Sequence, residues 1–202
     1  MAKGPVAPGL GKVRGDAFRL SFIGTLAGRV QGCAFRHAQV SRADIVAALQ
    51  STMRIALYQP DIPQNTGTIL RLCACFGIEA HIIGPAGFPT SDRAFRRAGM
   101  DYLDAVTIVR HAAWDDFAAW RVEARHRLVL FTTSGTKSYL DHRFGADDML
   151  LFGRESAGVP PEVHQAADTR LIIPMRSGMR SLNVAIAAAM ATGEALRQLG
   201  GL

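Results

Sequence analysis

Polar side chains that bind and position charge gather at three places, each next to an apolar run. The first is Pro60–Arg71, PDIPQNTGTILR, where two prolines stiffen a loop ahead of Asn65 and Arg71. An arginine there can grip a phosphate or a ribose through paired hydrogen bonds, or lie on the surface. Asn65 can help it, or simply cap a helix. The second is Leu150–Pro161, LLFGRESAGVPP, in which Gly153 and Gly158 flank Arg154 and Glu155. The glycines let the chain turn sharply and approach a ligand, and Glu155 has no structural duty visible from sequence. A tight surface turn is the plainer alternative. The third is Leu171–Met190, LIIPMRSGMRSLNVAIAAAM. Its loop holds Pro174, Gly178, Arg180, Ser181 and Asn183, between a buried strand and a helix of small apolar residues. Ser181 and Asn183 can serve a ligand or cap that helix. Backbone groups in such a loop need partners, and ligands often supply them.

The elements that must position these residues alternate. Strands are predicted at Arg54–Tyr58, Ala80–Ile83, Val106–Val109, Leu128–Phe131, Met149–Phe152 and Arg170–Ile173. Helices are predicted at Asn65–Phe76 with Gly77 as C-cap, at Asp92–Ala98 before Gly99, and at Trp114–Ala124, Pro161–Ala167 and Val184–Leu199. Strands separated by helices imply an α/β fold with a mainly parallel sheet, and such sheets bind ligands at the carboxyl ends of their strands. The alanines of 185–191 suit close packing against another backbone, within the chain or across a dimer.

Composition narrows the class. The chain of 202 residues carries a net charge of +6. Residues 1–52 hold seven basic and two acidic residues; the remainder holds sixteen and fifteen. The basic surplus therefore belongs to the first 52 residues and does not mark the body as RNA-binding. Those residues are Gly-rich and are expected to be a poorly ordered extension, with Met53 a candidate for the true translation start ahead of the domain 53–202; a functional basic arm that binds RNA is the rival. Three cysteines offer no disulfide framework, and Cys73-Ala-Cys75 is neither a metal nor a redox spacing, so a cytoplasmic location and no metal are expected. No apolar run is long enough for a membrane span. Neither GxxxxGK[ST] nor a GxGxxG after the first strand occurs, which argues against a nucleotide triphosphatase and an ordinary dinucleotide dehydrogenase.

Taken together, NxGxxxR at 65–71, FGxExxGxP at 152–160 and IPM…RSLNVAxA at 173–187 resemble the SpoU branch of the SPOUT RNA 2′-O-methyltransferases. The resemblance covers 53–202. IALYQPDIPQNTGTILRLCA, HIIGPAGF, RRAGMDY and FTTSGT are similar to the small, single-domain group that methylates the wobble nucleotide of tRNA. Ala185 and Ile186 stand where related chains often carry a further Ser-Asn pair.

The resemblance implies a parallel α/β sheet with a C-terminal trefoil knot, a homodimer, and S-adenosylmethionine as cofactor, released as S-adenosylhomocysteine. It implies a cofactor pocket from Phe131, Thr132, Gly153, Ile173, Met175, Ser181 and Leu182, and a catalytic set of Arg71, Asn65, Glu155, Ser181 and Asn183. Because a guanidinium keeps its proton in proteins, Arg71 is expected to stabilise the developing 2′-alkoxide while a phosphate or solvent takes the proton. Arg154 and Arg180 are expected to contact RNA phosphates. Arg93, Arg96 and Arg97 are expected either to hold the anticodon stem or to be a solvated helix face. The reaction implied is 2′-O-methylation of the wobble cytidine or uridine of tRNA. The alternatives are methylation of rRNA or another tRNA position, and a non-catalytic RNA-binding module of the same fold.

Overall fold

A computed structural model describes residues 53–97 and 102–200, without the side chain of Arg97. The expected extension 1–52, and Ala98 and Gly99 at the end of the predicted basic helix, lie outside the described residues. In chain order the elements are β1 (Arg54–Tyr58), α1 (Pro63–Phe76), β2 (Glu79–Ile83), α2 (Asp92–Arg97), β3 (Ile108–His111), α3 (Trp114–Glu123), β4 (Arg127–Phe131), β5 (Lys137–Ser138), β6 (Asp148–Phe152), α4 (Pro161–Ala166), β7 (Thr169–Ile172) and α5 (Val184–Leu199). Short 3₁₀ turns lie at Leu103–Ala105 and Tyr139–Asp141.

All strand pairs are parallel, in the order β3-β2-β1-β6-β4-β7-β5. Alternation along each strand divides the core between the two faces. Ile55 and Leu57 of β1 join Ile69, Leu70 and Cys73 of α1 and Ala188, Ala191 and Leu196 of α5. Ala56 and Tyr58 face the other way, with Phe117 of α3 and Val163 of α4. The alanines of α5 behave as expected, for Ala185, Ala188, Ala191 and Ala195 are buried.

Three differences from the sequence expectations have physical causes. Helix α1 begins at Pro63, not Asn65, because proline is suited to the first helical position, where its missing N–H costs nothing. Asn65 is therefore not the cap; Ile62 holds that position and makes no side-chain bond. Strand β3 lies two residues later than predicted, because Leu103–Ala105 coils just before it and the exposed Arg110 and half-buried His111 pair against β2. Strand β5 was not expected at all. Two polar residues carry no strand pattern, and β5 exists only because β7 gives it a partner.

The placement of β7 between β4 and β5 matters most for the site. The five-residue connection 132–136 must pass over the end of β7 to reach β5. It passes so close that a Cβ on Gly135 would lie 2.7 Å from the carbonyl carbon of Leu171. Thr132 N–H donates to Leu171 O at 2.9 Å in the same crossing.

On the α3 side, a second polar group is enclosed by aromatic rings. His81 and His111 meet Nδ1 to Nε2 at 2.9 Å, and His81 Nε2 meets Glu79 Oε1 at 2.9 Å. Glu79 in turn accepts from Arg54 Nε at 2.8 Å. Trp120 and Phe117 cover both imidazoles. One proton on each Nε2 satisfies the whole chain with both rings neutral. Burial pushes His81 down to about 4 and lowers His111.

Candidate active site

The carboxyl ends of β4, β6 and β7 open into a cavity of about 620 Å³, within the range of a small-molecule site. Phe131 and Phe152, stacked at 5.1 Å, end adjacent strands on its floor. The crossing segment 132–134, the loop 153–158, and the stretch 180–184 form its walls. Every residue expected to bind cofactor lines this cavity: Phe131, Thr132, Gly153, Ile173, Met175, Ser181 and Leu182. Asn65, Glu155, Asn183, Arg154 and Arg180 line it too.

The loop after β6 is closed by a two-way backbone bridge, Arg154 N to Gly158 O and Gly158 N to Arg154 O, both 2.9 Å. Gly153 lies against the far strand of this turn, where a Cβ would meet Gly158 C at 2.6 Å. Gly158 itself has φ +67°, which a side chain would strain. The sequence therefore needs glycine at both ends, and the turn that results presents Glu155 towards α1.

Glu155 links the three polar stretches. Its Oε1 accepts from Asn65 Nδ2 at 3.1 Å and its Oε2 accepts from the Asp61 backbone N–H at 2.8 Å. Asn65 Oδ1 accepts from Asn183 Nδ2 at 2.9 Å. Asn183 Oδ1 caps α5 by accepting from Ala185 N at 2.8 Å and Ile186 N at 3.3 Å. Asn183 caps the helix and bonds Asn65 at the same time, because an amide offers an acceptor at one end and donors at the other.

Arg71 stands apart from this relay. It lies about 9 Å along α1 from Asn65 and about 240° around it, and it is exposed and not among the cavity-lining residues. Its Nη2 donates to Tyr102 OH at 3.0 Å, and its guanidinium carbon lies 4.5 Å from the Tyr102 ring centroid. Arg93 on α2 is exposed and also lies away from the cavity, and the Arg97 side chain is outside the described residues. Arg154, although at the cavity, donates to Asp61 Oδ1 from Nη2 at 2.7 Å and to Gln59 Oε1 from Nη1 at 3.3 Å.

Asp61, Ser156 and Tyr102 are the residues that sequence reasoning missed. Asp61 sits between two prolines in a stretch already singled out, and a carboxylate in so stiff a loop is the signal that was available. Arg154 beside it, with Ser156, holds the Asp61 carboxyl down at about 2. The thiol of Cys73 is buried and pushed up to about 12, so it takes no part. Among the described residues no group of three or more His, Cys, Asp or Glu side chains could hold a metal, and no helix is long and apolar enough to cross a membrane.

A sequence model of the SpoU rRNA Methylase family matches residues 52–193. The chain belongs to that family. Among family relatives, a tRNA (cytidine(34)-2′-O)-methyltransferase of Beijerinckia indica is 64% identical over 148 residues, 73% of this chain and 92% of the relative. A solved structure described as "Structural insights into the 2-OH methylation of C/U34 on tRNA" is 41% identical with a TM-score of 0.67, over 74% of this chain and 97% of that one. An AdoMet-bound rRNA methyltransferase from Sinorhizobium meliloti is 32% identical with a TM-score of 0.65, over 73% of this chain and 56% of that one.

Proposed function

We propose that this chain methylates the 2′-oxygen of the wobble ribose of tRNA, cytidine or uridine 34, as a cytoplasmic homodimer using S-adenosylmethionine. One observation carries the reading: Glu155, Asn65 and Asn183, from three distant stretches, join on the rim of a cavity at the strand ends. The cavity suits the cofactor. It is large enough, its floor is aromatic, and its tightest wall is a glycine turn that a Cβ would fill. The crossing of 132–136 over β7 supports the knotted topology. Phe131, Thr132, Gly153, Ile173, Met175, Ser181 and Leu182 would hold the cofactor, which supplies a methyl group already activated on sulfonium.

The residues of the chain then need to align the ribose and manage one proton. Asn65 and Ser181 orient the 2′-hydroxyl, with Glu155 fixing the Asn65 amide. Asn183 caps α5 and holds the same amide from the other side. The proton passes to a substrate phosphate or to solvent, and Arg71 stabilises the oxygen that loses it. Within one chain Arg71 is away from the cavity, held by Tyr102, so a second copy must bring its own. The surface supports that arrangement. Ile186 and Met190 form one exposed stripe on α5, at 53% and 39% accessibility, with Ile62 and Leu182 also exposed. Arg180 at the cavity mouth and the exposed Arg93 on α2 would meet phosphates.

Calorimetry with S-adenosylhomocysteine and nucleoside mass spectrometry of tRNA from a deletion strain test the proposal. Binding, with loss of the 2′-O-methyl group from nucleotide 34, is expected. An unchanged wobble nucleotide with a lost ribosomal methyl would move the substrate to rRNA, the substrate that the family's description names. Absence of cofactor binding would leave only an RNA-binding module.

A further inference from the structure

We infer that Asp61 is a positioning residue for the cofactor loop, and that Arg154 serves Asp61 and this loop rather than RNA phosphates. The inference rests on the proposed cofactor. Three consecutive residues of the loop are held by this one residue of the facing wall. The Asp61 carboxylate accepts from Arg154 Nη2 at 2.7 Å and Nε at 3.2 Å. It also accepts from the Ser156 backbone N–H at 3.3 Å and from the Ser156 hydroxyl. The Asp61 backbone N–H donates to Glu155 at 2.8 Å. Two prolines, Pro60 and Pro63, restrict the chain on either side, so the clamp has little freedom to drift.

Arg154 commits a donor from each of its three nitrogens to this arrangement. Its Nε and Nη2 face Asp61, and its Nη1 faces Gln59. A guanidinium used this way fixes a loop, because its fork geometry sets orientation as well as distance. The loop it fixes contains Gly153 and Glu155, the first a cavity wall and the second the hub of the polar relay. Ordering those residues before the cofactor arrives removes a cost that binding would otherwise bear. Electrostatics agree with the geometry, since the carboxyl stays charged well below neutral pH.

The test compares wild type, Asp61→Asn, Arg154→Met and the double variant. S-adenosylhomocysteine affinity should fall about tenfold in each single variant, as for a lost charge-assisted hydrogen bond. The double variant should be no weaker than the weaker single, because both changes break one clamp. Apoprotein melting separates this from general unfolding, and Ser156→Ala gives a smaller loss of affinity should Asp61→Asn not fold. In tRNA binding against salt, Arg154→Met should leave the slope unchanged, while Arg180→Ala should lower it by about one phosphate contact. Unchanged cofactor affinity in folded variants, or a lower salt slope for Arg154→Met, would overturn the inference alone. A wild-type protein that binds no S-adenosylhomocysteine would instead overturn the function on which it rests.

Discussion

Two polar networks in this molecule are built from similar parts and end in opposite states. At the strand ends, Asp61, Arg154, Ser156, Glu155, Asn65 and Asn183 border an open cavity. On the α3 side, Glu79, His111 and Arg54 join a His81 ring that is fully buried among aromatics. In the first, a paired cation keeps a carboxyl charged, with Asp61 down at about 2. In the second, burial is the largest influence on His81 and keeps the imidazole neutral, down at about 4. Access to solvent decides the difference. A charge beside a cavity retains hydration and adds a partner, whereas a charge under Trp120 and Phe117 loses hydration without full replacement. The first network can therefore act on a ligand, and the second serves the fold.

That contrast can be sharpened or broken by experiment. The largest effect should be that of Arg71→Ala on turnover, a fall of about a hundredfold or more with cofactor affinity retained. Single-turnover methylation and calorimetry check it together, and equal losses in both would place Arg71 in the cofactor pocket instead. Gly153→Val comes next. Its Cβ would meet Gly158 backbone at 2.6 Å, so the loop must shift and cofactor binding should weaken by more than about tenfold, since overpacking costs about 1–3 kcal/mol. His81→Ala should do the reverse of both. Unfolding in urea should show a loss of about 3 kcal/mol, from the cavity left among aromatics, with cofactor affinity unchanged.

The same contrast predicts a pH dependence. His81 and His111 bind protons more readily unfolded than folded, so the unfolded state gains protons as pH drops below about 6.5. Stability is thus full above that pH and declines towards about 4, where folded His81 itself titrates. The slope should reach about 1.4 kcal/mol per pH unit for each such proton. Denaturant unfolding between pH 7 and pH 4.5 measures it, and His81→Ala should flatten it. Asp61 works in the opposite protonation state. Its contribution is present above its ordinary range and is lost only as pH falls towards about 2, so the clamp should be intact throughout the same titration.

The alternation of β1, α1 and β2 was legible because Arg54–Tyr58 is apolar throughout its buried positions and Gly77 closes α1 in a left-handed cap. The pocket residues were legible through resemblance, since Gly153, Asn183 and their neighbours keep a recognisable spacing. Less was visible where short-range signals mislead. Asn65 looks like a cap, but Pro63 starts the helix two residues earlier and frees the Asn65 amide for Glu155. Arg154 looks like a phosphate contact, yet its nitrogens face Asp61 and Gln59.

The sequence by itself determined the periodicities, the turns that require glycine or proline, and the order in which polar stretches follow strands. Those are local matters, decided by backbone sterics and side-chain pattern over a few residues. The tertiary structure alone decided that Asp61 meets Glu155 across 94 residues and that Asn65 meets Asn183 across 118. It also decided that Lys137–Ser138 becomes a strand and that Arg71 faces away from the cavity. Contacts at such separations depend on which strand lies beside which. That order is fixed by packing both sheet faces at once and has no counterpart in any single window of sequence.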